Sequence, residues 1–152
     1  MRTKDSVIEA NKAILALKLN GGGPVHINMY TRYSHDFSVR EIPHVNTIYR
    51  HTIYDKEWPS IPHDGRIVVR IGSHADFTDE QTRAIDEFCA TYDAVVCCDH
   101  TSGYRGKYEV HGQLVFGQQM WQSSLRNTNL CIHIGEVSGD QFCVNAKHTW
   151  RV

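Results

Sequence analysis

Much that would mark a membrane protein or a familiar site is missing from these 152 residues. No uninterrupted apolar run exceeds five residues, where about 20 are needed to cross a bilayer as a helix. Met1-Arg2-Thr3-Lys4-Asp5 leads into no signal-like apolar stretch, so a cytoplasmic chain with no membrane partner is expected. Charge of one sign is lacking too. Sixteen Lys and Arg stand against 17 Asp and Glu, a formal charge of -1, which gives no global field to hold a polyanion; nucleic acid is not an expected partner.

Local metal spacing is equally absent. Five cysteines (Cys89, Cys97, Cys98, Cys131, Cys143) form no Cys-x-x-Cys pair, and ten histidines form no His-x-x-x-His pair. No metal site is expected, although one assembled from distant segments stays open. An odd cysteine count in a chain able to fold without staples reads as reduced thiols, acting mostly as small hydrophobes in strand-like runs. There is no Gly-x-Gly-x-x-Gly, no Gly-x-x-x-x-Gly-Lys-Ser/Thr and no Gly-x-Ser-x-Gly, which removes the local signatures of dinucleotide, P-loop and serine-hydrolase sites.

What is present is patterned. Hydrophobic residues make up 41%, enough for one compact domain but not two catalytic ones. Residues 6–19 repeat Val7, Ile8, Ala13, Ile14 and Leu17 at helical spacing. Ser6 and Glu9 sit at capping-box positions, and Gly21-Gly22-Gly23 closes the segment. Pro24-Val25-His26-Ile27-Asn28-Met29 alternates apolar and polar residues and predicts a short strand. Residues 31–63 lose periodicity and hold Pro43, Pro59 and Pro62. So long a loop is uncommon inside one domain, which predicts a linker, pinned to a surface by aromatics such as Tyr49, Tyr54 and Trp58.

From residue 64 onward strand and helix signals alternate. Ile67–Ile71 is a β-branched run; Thr78, with Gln81 at the box position, caps a helix through Ala90 with Ile85 and Phe88 inward; Ala94–Cys98 is a second strand. A helix is predicted over 113–125, a strand over Leu130–Ile134, a short helix after it and a last strand over Thr149–Val152. Such alternation predicts an α/β, Rossmann-like parallel sheet with helices on both faces, preceded by a helix-strand remnant and a long linker. An isolated helix and strand at one end and a strand at the other are expected of a segment of a longer protein.

Ligands of open parallel sheets sit beyond the carboxyl ends of the strands. The candidate binding residues there are Ser73 and His74, then Asp99, His100, Thr101 and Ser102, then Glu136, Ser138, Gly139, Asp140 and Gln141. Small residues and hydroxyls at such ends suit an anion, while the plain alternative is that the glycines only turn the chain. Asp99 and Glu136 offer paired carboxylates, or else hydrogen-bonded loop carboxylates. Asp99, His100 and Ser102 have the residue types of a hydrolase triad but are too close in sequence to face one another, so no catalytic residue is assigned.

Asn11-Lys12-Ala13-Ile14 followed by Gly22-Gly23-Pro24-Val25-His26-Ile27-Asn28 resembles the end of the pyrimidine-binding domain of thiamine-diphosphate enzymes. Phe37 through Pro43 resembles their linker. Arg66 through Val152, with Asp99-His100-Thr101-Ser102 and Asn129 through Glu136, resembles their central domain. The nearest pattern is that of the menaquinone-pathway 2-succinyl-5-enolpyruvyl-6-hydroxy-3-cyclohexene-1-carboxylate synthases. The resemblance implies residues 1–30 from the pyrimidine-binding domain, a linker over 31–63 and a Rossmann-like central domain over 64–152. It implies a parent enzyme that decarboxylates a 2-oxo acid with thiamine diphosphate and Mg2+ and transfers the acyl carbanion equivalent to an acceptor, the cofactor supplying the electron sink.

The cofactor-activating glutamate and the Gly-Asp-Gly...Asn motif of that family are not in this sequence. The chain alone is therefore expected to be inactive, with no cofactor of its own; its expected partners are further N- and C-terminal domains of the same protein, a small-molecule substrate in the parent, and other copies in a homo-oligomer. Where those synthases carry a Lys-Arg pair facing substrate carboxylates, this chain has Ser138-Gly139-Asp140-Gln141, which alters the expected substrate. The alternatives are a nucleotide- or effector-binding module, or a purely structural domain.

Overall fold

A computed structural model describes residues 3–18, 21–29, 35, 47–74, 76–111, 123–136 and 144–152. The chain divides into two units, Met1–Trp58 and Pro59–Val152.

In the first unit, helix α1 runs Thr3–Ala16. It begins three residues ahead of the expected Ser6 cap. Lys4 and Asp5 continue a helix without penalty, and Glu9, the supposed box partner, pairs instead with Lys12 at 2.7 Å. Ile8, Ile14 and Leu17, which carry the helical spacing, are exposed. The strand expected over Pro24–Met29 is not formed: residues 22–29 carry no helix or strand, and Ile27 and Met29 are exposed. An extended segment needs a neighbouring strand for its backbone groups, and alternation of side chains supplies none. Residues 47–58 are turn and coil.

The second unit is built on five parallel strands: β1 (Ile67–Ile71), β2 (Val95–Cys98), β3 (Glu109–Val110), β4 (Asn127–Ile134) and β5 (Asn145–Arg151). Their order is β3-β2-β1-β4-β5, all neighbours parallel. The expected α/β parallel sheet is therefore present, and its order reverses between β1 and β4, as in Rossmann-like sheets. β4 and β5 start earlier than their sequence patterns, because Asn127 and Asn145 pair across the two strands although neither is apolar. β3 was not expected at all.

Helix α2 (Asp79–Tyr92) joins β1 to β2 and carries the expected capping box. The Thr78 hydroxyl accepts from the Gln81 amide, and the Gln81 side chain accepts from the Thr78 amide. The helix ends at Asp93, a left-handed residue (φ 49°) whose amide closes the last turn onto the Cys89 carbonyl. Of the helix expected over 113–125, residues 113–122 lie outside the described residues, and Ser124–Arg126 is a 3-10 turn capped by the Ser123 hydroxyl. The short helix expected after β4 also lies outside them. α2 is thus the only α-helix seen against this sheet among the described residues.

Period-2 alternation splits the strands between two faces. One face sends Ile67, Val69, Ile71, Val96, Cys98 and Leu130 into a core with fully buried Cys89 of α2, flanked by Ile85, Phe88, Ile132 and Trp150. The other has a smaller cluster around Val68 and Cys97. Fully burying one Leu or Ile contributes roughly 1.5–3 kcal/mol, so the first face dominates the stability of this unit.

Candidate functional site

The sheet order places the switch point between β1 and β4, where an open α/β sheet leaves a crevice. Here the crevice is sealed by backbone. Beyond the last ladder pair, Ser73 and Glu136 exchange amide-to-carbonyl hydrogen bonds of 2.8 Å in each direction, an isolated antiparallel bridge. The Gly72 amide also donates to the Ile134 carbonyl at 3.1 Å.

This closeness explains both glycines. A Cβ on Gly72 would fall on the Glu136 carbonyl, and 3.2 Å from Asp99 Oδ2; one on Gly135, at φ 76°, would fall on the Ser73 carbonyl. Of the two readings of these glycines, an anion cradle or a structural necessity, the contacts support the second.

Asp99, at the end of β2, is 4% exposed. Its Oδ1 accepts from the Thr101 amide at 2.7 Å and the Thr101 hydroxyl at 2.6 Å, while its own amide donates to the Ile71 carbonyl at 3.2 Å. It is a loop-forming carboxylate. Glu136 behaves differently: its side chain is exposed and its Oε1 receives Arg151 Nη2 at 2.7 Å. Of the two readings of these carboxylates, an acid/base pair or separately hydrogen-bonded groups, the contacts support the second: each is engaged by a different partner.

Ser102 is buried, accepts from the Tyr104 amide at 3.3 Å and hydrogen-bonds the Cys98 thiol, while His100 is exposed. These residues form no hydrolase triad, since Asp99 turns to Thr101 and the serine lies away from solvent. His74 stacks on Phe77 with ring centroids 4.7 Å apart. The remaining candidates, Ser138, Gly139, Asp140 and Gln141, lie outside the described residues.

The start of α2 is poorly suited to a phosphate. Its capping box already occupies amides of the first turn, and Asp79 and Glu80 set two negative charges where an anion would sit. The thiols are equally quiet. Burial pushes Cys97 up to about 12 and Cys89 to about 11, and raises Cys98 and Cys131 as well, so at neutral pH all four are protonated and weakly nucleophilic. Among the described residues no group of three His, Cys, Asp or Glu side chains is placed to hold a metal ion.

Two features escaped the sequence reading. Tyr104 is fully buried and donates its hydroxyl to Asp86 Oδ1 of α2 at 2.5 Å; the same oxygen accepts the Lys107 amide at 3.0 Å. That contact pins the loop after β2 to the helix before it. Burial first, then the Asp86 carboxylate, raises the phenol well above its ordinary value. A tyrosine among small and polar residues was the only available signal.

The second feature is a row of basic residues. Register aligns Arg70 of β1 with His133 of β4, and His133 with Arg151 of β5, so three cation-capable residues lie side by side near the carboxyl ends of adjacent strands. Only the strand pairing reveals this, because the three positions are 63 and 18 residues apart in sequence (133 − 70 and 151 − 133).

No family model, no curated protein and no solved structure matches the chain. No helix among the described residues is long and apolar enough to cross a membrane.

Proposed function

We propose that the chain supplies the central, positioning domain of a thiamine-diphosphate enzyme, one that decarboxylates a 2-oxo acid and transfers the acyl carbanion equivalent to an acceptor, as the menaquinone-pathway synthases do. The Gly22-Gly23-Pro24-Val25-His26-Ile27-Asn28 segment suggests the family. The observation that carries the role is the sealed switch point. Ser73 and Glu136 close by backbone the place where a Rossmann-like sheet takes its ligand, and Asp99, Thr101 and Ser102 are spent on one another and on their own loop. Such a domain contributes rigid sheet and surface, not reacting groups.

The described donors do not fit a Mg2+-diphosphate group. Asp99, the buried carboxylate at the strand ends, is already taken by Thr101, and among the described residues no three ligating side chains converge. In this proposal the cofactor is held by other domains of the same protein.

The test is to express the complete reading frame that carries this segment and measure CO2 release from a panel of 2-oxo acids, with and without thiamine diphosphate and Mg2+. Release that needs both is expected; no cofactor-dependent release from any of them overturns the proposal. Calorimetric titration of the 152-residue chain with thiamine diphosphate and Mg2+ is expected to show no binding, and tight binding would overturn the placement of the cofactor residues.

A second reading, an anionic effector site, rests on the Arg70, His133 and Arg151 row. It places the ligand at the sheet rim, away from the acidic start of α2. A thermal-shift series with inorganic phosphate and adenine nucleotides tests it, with a rise in Tm that is lost in Arg151→Met expected, and an unchanged Tm across the series counting against it.

A further inference from the structure

The turn that leads into β1 sets a reactive dipeptide against a neighbour able to activate it. Asp64-Gly65 is the only Asp-Gly in the chain. Gly65 has φ 82°, and a Cβ there would fall on the Asn129 side-chain amide, so no side chain fits at this position. Asn129, on β4 and 65 residues away in sequence, donates from Nδ2 to the Asp64 carbonyl. Asp64 is exposed, and among the described residues neither its carboxyl nor the Gly65 amide has a hydrogen-bond or ion-pair partner.

These observations bear on one reaction. An aspartyl carboxyl is open to attack by the backbone nitrogen of the next residue, and a side chain on that residue crowds the nitrogen, whereas glycine leaves it clear. The Asp64 carbonyl and the Gly65 N-H belong to one resonant peptide unit. As the N-H loses its proton, charge gathers on that carbonyl oxygen, where the Asn129 donor already stands, so the attacking nitrogen is stabilised in its reactive form.

We propose that Asp64-Gly65 is a self-modification site, at which the folded chain converts aspartate to isoaspartate. The Gly65 nitrogen bonds to Asp64 Cγ while a water leaves, made of a carboxyl oxygen, the carboxyl proton and the amide proton, and a succinimide ring closes. Water then adds back. Breaking the new bond to Cγ restores aspartate, whereas breaking the original peptide bond leaves the chain running through Cβ and Cγ with the α-carboxylate free. Nothing is oxidised, and water is the only co-reactant. The product adds a main-chain carbon just before Arg66, whose carbonyl accepts the amides of Asn129 at 2.8 Å and Leu130 at 3.4 Å, so it loosens the pairing of β1 with β4 at its start. The inference does not depend on the enzyme family proposed above.

The test incubates the 152-residue chain for weeks at mildly acidic pH beside a free peptide spanning residues 59–70. Peptide mapping, with methyl transfer from S-adenosylmethionine by an isoaspartyl methyltransferase, reads the product. Folding ordinarily slows this reaction by holding the backbone away from the attack geometry, yet here the folded chain is expected to form isoaspartate at residue 64 at least as fast as the peptide. Asn129→Ala is expected to slow it about tenfold, the rate equivalent of one net hydrogen bond. Asp64→Glu, at an exposed position and with too long a side chain to close the same ring, is expected to abolish the signal with unchanged circular dichroism. A folded chain slower than the peptide, an Asn129→Ala chain as fast as wild type or faster, or a signal that survives Asp64→Glu overturns the proposal.

Discussion

The two units treat hydrophobic side chains in opposite ways. Every buried apolar residue among those described lies in Pro59–Val152, whereas nine of the ten exposed large ones lie in Met1–Trp58. Apolar content is not the difference, since α1 carries three Ile and Leu residues (Ile8, Ile14, Leu15) against one, Ile85, in α2. The difference is partners. β1 has β2 and β4 on either side and α2 against one face, so each Val or Ile meets others, while among the described residues of the first unit there is no sheet for α1 and residues 21–29 to pack on. A hydrophobic pattern fixes which face of an element is apolar, and only topology decides whether that face is covered.

The contrast predicts that substitutions in the second unit are costly and those in the first nearly silent. The largest effect is expected of Gly72→Val, whose side chain would overlap the Glu136 carbonyl; loss of roughly 4 kcal/mol or more, seen as loss of cooperative urea unfolding, would show that the seam between β1 and β4 holds the sheet.

Thiol chemistry should follow. The raised folded-state values mean that the native protein keeps thiol protons the unfolded chain releases near 9, so the contribution is complete below that pH and is lost as pH climbs from about 9 toward 12. Urea midpoints measured across that alkaline range are expected to fall, and a flat profile would place the thiols in contact with water. Thr78→Ala removes the hydroxyl that caps α2 and is expected to cost ~1 kcal/mol of stability by thermal unfolding. Smallest of all, Met29→Ser, at a side chain 78% exposed, should leave the unfolding of the second unit within about 0.5 kcal/mol of wild type; a larger loss would mean that the first unit is packed on something.

Much of the sheet could be read from sequence. Ile67–Ile71 is a run of β-branched residues with no helical spacing, and Thr78 with Gln81 is a capping box whose two hydrogen bonds are local. Local chemistry is what sequence displays. The errors arose where a local pattern had no tertiary support: Ser6 and Glu9 matched a box that the helix runs past, and Pro24–Met29 alternated without a neighbour to pair with.

The omissions were the reverse case, tertiary features with almost no local trace. β3 is two residues paired with β2, and the Tyr104–Asp86 contact spans 18 positions. The candidate site divides in the same way. Proximity of Ser73, Asp99 and Glu136 to strand ends was legible from residue types, but the bridge between Ser73 and Glu136, and the alignment of Arg70 with His133 and Arg151, depend on register, which no single segment encodes.

The backbone bridge between Ser73 and Glu136 also bears on engineering. Grafting a dinucleotide fingerprint onto the loop after β1 would have to unzip two hydrogen bonds and displace a neighbouring strand before any phosphate could enter, so redesign for new chemistry has its cheaper starting point at the outer margin, where Arg151 already reaches across to a carboxylate.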